Sequence, residues 1–234
     1  MDILNPQIPD AKWDVSGLFT FDFQFAELLK VGLELFDCSI PIEAIHGCYP
    51  IMWNAGRMVD VAAKQRGDIK KDMGPESVLS SWNMCPAPIG CYLTFSNPLL
   101  GEKHLQDPSS NRLLDLLAKH NKHRKNGVIV TSDLLSTHIR NRYPELKQKA
   151  SILKSTVDRP KVSGRDFGYY DELTERFDKV MVHPDDGHNR KLLGQMAESG
   201  KQESYEIIVN ENCPIGCAVR KPCYTSVAKN QLEG

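Results

Sequence analysis

Three of the chain's seven cysteines fall within eleven positions: Cys213, Cys217 and Cys223. They follow an apolar run, Tyr205 to Val209, in the segment Asn210-Glu211-Asn212-Cys213-Pro214-Ile215-Gly216-Cys217, with Arg220 and Tyr224 close behind. Thiols gathered past a strand end, in a chain that opens without a basic start and an apolar run, point to a metal or iron–sulfur site more than to disulfides. The spacing C-x3-C-x5-C departs from the C-x2-C pairs of zinc ribbons and from the C-x3-C-x2-C of radical enzymes that use S-adenosylmethionine. Pro214 and Gly216 let the backbone wrap around a centre. Arg220 and Lys221 would offset the charge of several thiolates and lower their pKa values. Cysteine also serves as a small buried hydrophobe, the reading given to Cys38 and Cys91.

A second constellation runs from His46 to Arg57: His46-Gly47-Cys48-Tyr49-Pro50-Ile51-Met52-Trp53-Asn54-Ala55-Gly56-Arg57. It holds an imidazole, an indole, an amide and a guanidinium. Arg57 suits a carboxylate or phosphate because its fork donates two parallel hydrogen bonds; alternatively Trp53 and Tyr49 cover the site and Arg57 pairs with an acidic neighbour. A third is His183-Pro184-Asp185-Asp186-Gly187-His188, where histidines and carboxylates suit a divalent metal or acid–base work. Asp186-Gly187 also reads as a turn, and Asp185 as a cap, so His183 is the residue carried forward. The basic run Lys119-His120-Asn121-Lys122-His123-Arg124-Lys125 reads as the solvated end of a helix rather than a nucleic-acid patch, since no aromatics interleave it.

The elements that must position these residues alternate between strand-like bursts and helical stripes. Strands are expected at Ile42–His46, Cys91–Phe95, Val128–Thr131, Ala150–Leu153, Lys179–Val182 and Tyr205–Val209. Helices are expected over Asp22–Phe36, from Asn111 to a stop at Gly127, after the cap Ser132 until Pro144, over Tyr170–Phe177, and from Asn189 to Glu198 before Gly200. Six strands alternating with helices specify a parallel α/β sheet. No glycine-rich phosphate turn follows a strand, so a TIM-like (β/α) barrel, incomplete or distorted, is favoured over an open nucleotide fold. In such a barrel polar residues at the carboxyl ends of strands converge on one face. Here these are His46, Thr94, Ser96, Asn97, Ser132, Ser155, His183, Asp185, Asn210 and Asn212. In a closed barrel the last strand neighbours the first, so Cys48 could approach Cys213 as a fourth ligand; Cys85, Cys91 or a substrate atom are the alternatives.

At 234 residues, 41% hydrophobic and 25% charged, the chain suits one barrel domain, residues 1–234, with its cysteine segment at 210–224. A net charge of −1 gives no global footprint for nucleic acid or anionic membrane. No stretch reaches membrane-spanning length, and a cytoplasmic protein with reduced thiols is expected.

The segments Ile42–Arg57, Leu93-Thr94-Phe95-Ser96-Asn97, Gly127–Val130 and Asn210–Arg220 resemble a bacterial and phage family of barrel proteins. Its members show G-[ST]-[FY]-P-x-x-[IM]-W-N-G-G-R, T-F-[ST]-N and a terminal N-x-N-C-x-x-x-C-x-x-R-x-x-H-Y. That family is similar, more distantly, to the U32 peptidase-like proteins, several of which are iron–sulfur proteins assisting hydroxylation of tRNA or quinone precursors. The resemblance implies a TIM-like barrel with a cysteine-ligated centre, an iron–sulfur cluster or otherwise a thiolate-bound divalent metal. Ala55 stands where the family has glycine, and Cys223 where it has histidine. The expected function is therefore an enzyme acting on a small polar or nucleotide-derived substrate. Its expected catalytic residues are His46, Asn54, Arg57, His183 and Asn210, with Trp53, Ser96, Asn97 and Asn212 binding substrate and Cys213, Cys217, Cys223 and Cys48 holding metal. The alternative is a metal-free phage or host accessory protein that binds a partner, ligand or nucleic acid.

Overall fold

The computed structural model describes residues 12–19, 42–55, 74–85, 88–211 and 213–233. The helix expected over Asp22–Phe36 lies outside the described residues, as do Cys38, Arg57 and Asn212.

Seven strands form one parallel sheet in strict chain order: β1 Trp13–Ser16, β2 Ile42–Gly47, β3 Gly90–Phe95, β4 Gly127–Val130, β5 Lys147–Ala150, β6 Lys179–Met181 and β7 Tyr205–Glu206. The helices among the described residues are α1 Pro75–Met84, α2 Pro108–Lys119, α3 Asp133–Arg142, α4 Ile152–Asp158, α5 Phe167–Thr174, α6 Arg190–Glu198 and α7 Arg220–Glu233. The sheet curls into a half-barrel, an incomplete α/β TIM-like barrel with β1 and β7 as its edges.

Alternation along the strands gives the sheet two different faces. Ile45, Leu93, Phe95, Val128, Val130, Ala150 and Val180 face the helices and share their core with Leu114, Leu117, Leu135 and Tyr170. The concave face carries Ala44, Tyr92, Ile129 and Met181. Lys149 joins them there, 1% exposed, with its ammonium over the Tyr92 ring at 4.3 Å from the centroid. That ammonium pairs with Asp14 on β1 and with Glu206 on β7. Lys179 on β6 pairs with Glu43 on β2 and reaches Glu206 at 3.6 Å. The two edges, which share no hydrogen bonds in the sheet, are thus linked through a lysine reaching across the concave face.

The interior lysine also explains where the expected elements shift. The fifth strand is Lys147–Ala150, three residues before the apolar run expected to form it. Lys149 is buried there only because carboxylates meet it, so polarity disguises the strand. Ser151 then caps α4 by accepting from Leu153 N–H, which puts Ile152 and Leu153 in a helix. The second helix ends at Lys119 rather than at Gly127, because the buried Asn126 side chain takes the carbonyls of His120 and Leu117 at 2.6 and 3.2 Å and folds residues 121–126 back as a loop. The last strand stops at Glu206; among the described residues no eighth strand pairs beyond it, and Ile207 and Val209 are 48% and 73% exposed. The first strand, Trp13–Ser16, is short and went unforeseen, so the strand before Cys48 is the second. Ser132 caps α3 as expected, and Asn189 caps α6. No described helix is long and apolar enough to cross a membrane.

Candidate functional site

The carboxyl ends of the strands are roofed by α7. Ala228 of that helix is fully buried against Ala55 from the β2 loop and Leu153 of α4. Asn97, at the end of β3, fastens the same contact: its Nδ2 donates to the carbonyls of Met52 at 2.9 Å and Ala228 at 3.2 Å, and its Oδ1 accepts from Leu99 N–H at 2.9 Å. These bonds make Asn97 a strut between β3, the β2 loop and α7. Ala55 fits because its methyl fills the space between the two helices.

Trp53 is fully buried as well. Its Nε1 donates to the His104 carbonyl at 2.8 Å, and its ring stands edge-on to Phe95 and His138. It is a core anchor holding the β2 loop. Asn54 is buried beside it, and its backbone N–H donates to the Ile51 carbonyl at 3.1 Å. Ser96 is buried at the end of β3. Ser132 and Ser155 are spent locally, the first as a cap and the second donating to Ile152 within α4.

His46 belongs to the concave interior. Burial lowers its pKa most, the nearby Asp14 charge opposes that and Lys149 adds to it. Cys48, just past β2, is hydrogen-bonded to Thr94, and burial pushes its thiol pKa up. That is the reverse of what a thiolate ligand needs.

The most organised chemistry lies past β6. His183 is 3% exposed, and burial first, then the Arg165 charge, push its pKa down to about 4. Its Nδ1 accepts from the Asp185 backbone N–H at 3.2 Å, so the neutral ring carries its proton on Nε2. Behind it, Asp186 takes two bonds from Arg165, at 2.6 Å from Nε and 3.2 Å from Nη2, and a third from the Tyr170 hydroxyl at 2.6 Å. Tyr170 in turn accepts from His183 N–H at 3.1 Å. Burial and the Asp186 carboxylate raise the Tyr170 pKa, so the phenol remains a donor. Asp186 belongs to the constellation read from the sequence but is passed over there as a turn residue, and Arg165 goes unforeseen because it is distant in sequence.

Asp185 connects this cluster to the cysteine segment. It accepts from Gly216 N–H at 2.9 Å and from Arg220 Nη2 at 3.4 Å. Arg220 also donates to Glu211 at 3.2 Å and to the Pro214 carbonyl at 3.4 Å, while Glu211 accepts from Cys213 N–H at 2.9 Å. Gly216 takes φ = 69°, a left-handed conformation that favours glycine. Arg220 thus organises the turn that carries Cys213 and Cys217. Asn210 is exposed ahead of that turn. Cys223 sits in the first turns of α7, where its N–H donates to the Val219 carbonyl at 2.9 Å. Among the described residues no three Cys, His, Asp or Glu side chains are grouped so as to hold a metal ion. Cys48 follows β2 and is bonded to Thr94, while Cys213 follows β7 at the far edge of the sheet. In this structure no three of the four thiols Cys48, Cys213, Cys217 and Cys223 are grouped together.

No family model matches the chain, and neither a curated protein nor a solved structure matches it significantly.

Proposed function

We propose that this chain is an enzyme acting on a small polar or nucleotide-derived substrate at the carboxyl ends of its strands, with His183 as the group that meets the reacting atom. The observation that supports this reading is a buried, neutral imidazole held between two ion-paired arginines. Keeping an imidazole uncharged in such a place uses burial and the Arg165 charge together, and perturbed groups of this kind gather at functional sites. With Nδ1 occupied, the Nε2 proton is the one offered. Its natural role is to donate a hydrogen bond to a substrate carbonyl or hydroxyl oxygen as negative charge develops there. Asp186, Tyr170 and Arg165 fix the β6 end from behind, Asp185 fixes the ring's tautomer, and Arg220 at the start of α7 holds Asp185.

A metal-free accessory protein that binds a ligand without transforming it is the second reading, supported by Trp53 and Asn97, whose polar groups are taken up in fastening the β2 loop. A thermal-shift screen of small polar and nucleotide-derived compounds, followed by product analysis with any compound that stabilises, separates the two. The enzyme reading expects turnover in the wild type, lost in His183→Gln with the compound still bound. Binding without turnover supports the accessory reading, and compounds that bind His183→Gln and wild type alike with identical turnover would overturn the role of His183.

A further inference from the structure

A second polar concavity opens at the opposite, amino-terminal ends of the strands. It encloses about 470 Å³, a volume in the range of small-ligand sites. Tyr92, His123, Arg124, Lys125, Lys147 and Lys179 line it. The carboxylates of this wall are already matched to other cations: Asp178 to Lys147 at 2.9 Å, Glu43 to Lys179, and Glu203 to Lys12 at 3.7 Å. Arg124 and Lys125 form no ion pair among the described residues, so the rim holds two cations without a carboxylate partner there.

The loop bearing those charges is built rather than loose. Asn126, 5% exposed, ties its end to α2 through the His120 and Leu117 carbonyls and to β3 by accepting from Cys91 N–H at 2.9 Å. Lys122 N–H donates to Asn83 at the end of α1 at 2.7 Å, and His123 Nε2 lies 3.3 Å from the Cys85 carbonyl. A side chain at Gly90 would collide with the Lys125 carbonyl, so the loop lies tight on the start of β3. Within it Arg124 takes φ = 54°, the one non-glycine residue of positive φ among those described. Left-handed backbone is unfavourable for arginine, and strain of this kind persists where surrounding structure imposes it, often at ligand sites.

We infer that this amino-end pocket binds a small phosphorylated anion, its phosphoryl group held by Arg124 and Lys125. Arginine donates to two phosphate oxygens in parallel and lysine adds a point charge beside it. Lys147 and Lys179, already neutralised, serve as walls. The basic run is thus a preorganised anion site rather than a freely solvated helix end.

Titration calorimetry of the full chain with pyrophosphate in chloride buffer tests this. Saturable binding is expected, weakened about tenfold in Arg124→Gly and further in the double variant with Lys125→Ala. Arg124→Gly also relieves the left-handed backbone, so its melting temperature should hold or rise, and the lost affinity cannot be ascribed to unfolding. The inference is overturned by an absence of binding at millimolar pyrophosphate or by affinity unchanged in both variants. It is overturned equally if a short single-stranded RNA displaces pyrophosphate and binds far more tightly with the same sensitivity to the variants, since the loop would then be a nucleic-acid contact.

Discussion

Two charge clusters, one inside the half-barrel and one past β6, are built differently. Inside the half-barrel, Lys149 and Lys179 join residues far apart in the chain: Asp14 and Glu43 near its beginning, Glu206 near its end. Past β6, Arg165, Tyr170, His183, Asp185 and Asp186 lie within a short stretch, and only Arg220 and Glu211 come from elsewhere. The interior cluster has one more carboxylate than lysine, and Glu206 Oε2 is buried with no hydrogen-bond partner among the described residues. The β6 cluster is instead left with a donor: Arg220 Nε is buried without a partner among the described residues. One cluster fastens the curl of the sheet, whereas the other holds polar donors at the end where substrates of such barrels bind.

The largest effect expected from this contrast is at Lys149. Replacing it by methionine strands Asp14 without its ammonium and leaves Glu206 only Lys179 at 3.6 Å, which should cost about 3–5 kcal/mol in urea unfolding. Glu206→Gln should cost far less, because burial already raises the pKa of Glu206 toward its protonated form and Lys149 keeps Asp14. Equal losses in the two variants would remove the asymmetry on which the lysine's role as the tie between the sheet edges rests.

A smaller effect, in pH rather than in total stability, should come from His183. Its folded pKa, about 4, lies below the ordinary 6.5, so the unfolded chain binds the extra proton first as pH falls. The contribution is complete above about pH 6.5 and is lost progressively toward pH 4. His183→Gln should flatten that part of the stability profile and leave the Lys149 effect intact. His46, also lowered but with Asp14 opposing the shift, should move the profile less when replaced by glutamine. A profile equally steep in wild type and His183→Gln would show that the imbalance lies elsewhere.

These two clusters also mark what the sequence makes legible. Strands such as Gly90–Phe95 and Gly127–Val130 are apolar on the face that packs against helices, and their periodicity announces them. Lys147-Gln148-Lys149 cannot be recognised that way, since its burial depends on carboxylates contributed by β1 and β7. At the site, His183 and Asp185 stand out by type and position. Arg165, Tyr170 and Asp186 do not, because only the fold makes a turn aspartate the acceptor for a distant guanidinium and phenol. Trp53 and Asn97 mislead in the opposite sense: residue types that suit a binding loop are here committed to holding that loop against β3 and α7.

The smallest structural effect should fall in the segment with the most conspicuous sequence. Cys213 is half-buried in a turn held by backbone bonds and by Arg220, not by its thiol. Cys213→Ala should therefore change stability by no more than about 0.5 kcal/mol, the usual range for a substitution away from packing and charge networks. Arg220→Ala, by contrast, removes the donor that joins Glu211, Pro214 and Asp185 and should free the turn, seen as faster amide exchange over residues 213–219. Iron and acid-labile sulfide measured on anaerobically purified protein complete the comparison. Stoichiometric iron lost in Cys213→Ala would mean that the 213–223 thiols gather around a centre on loading, and the turn would then be a ligand loop whose resting shape Arg220 maintains. Metal-free protein with an intact fold would leave the β6 cluster as the chemical centre of the molecule and the cysteine turn as the piece docked on it through Asp185.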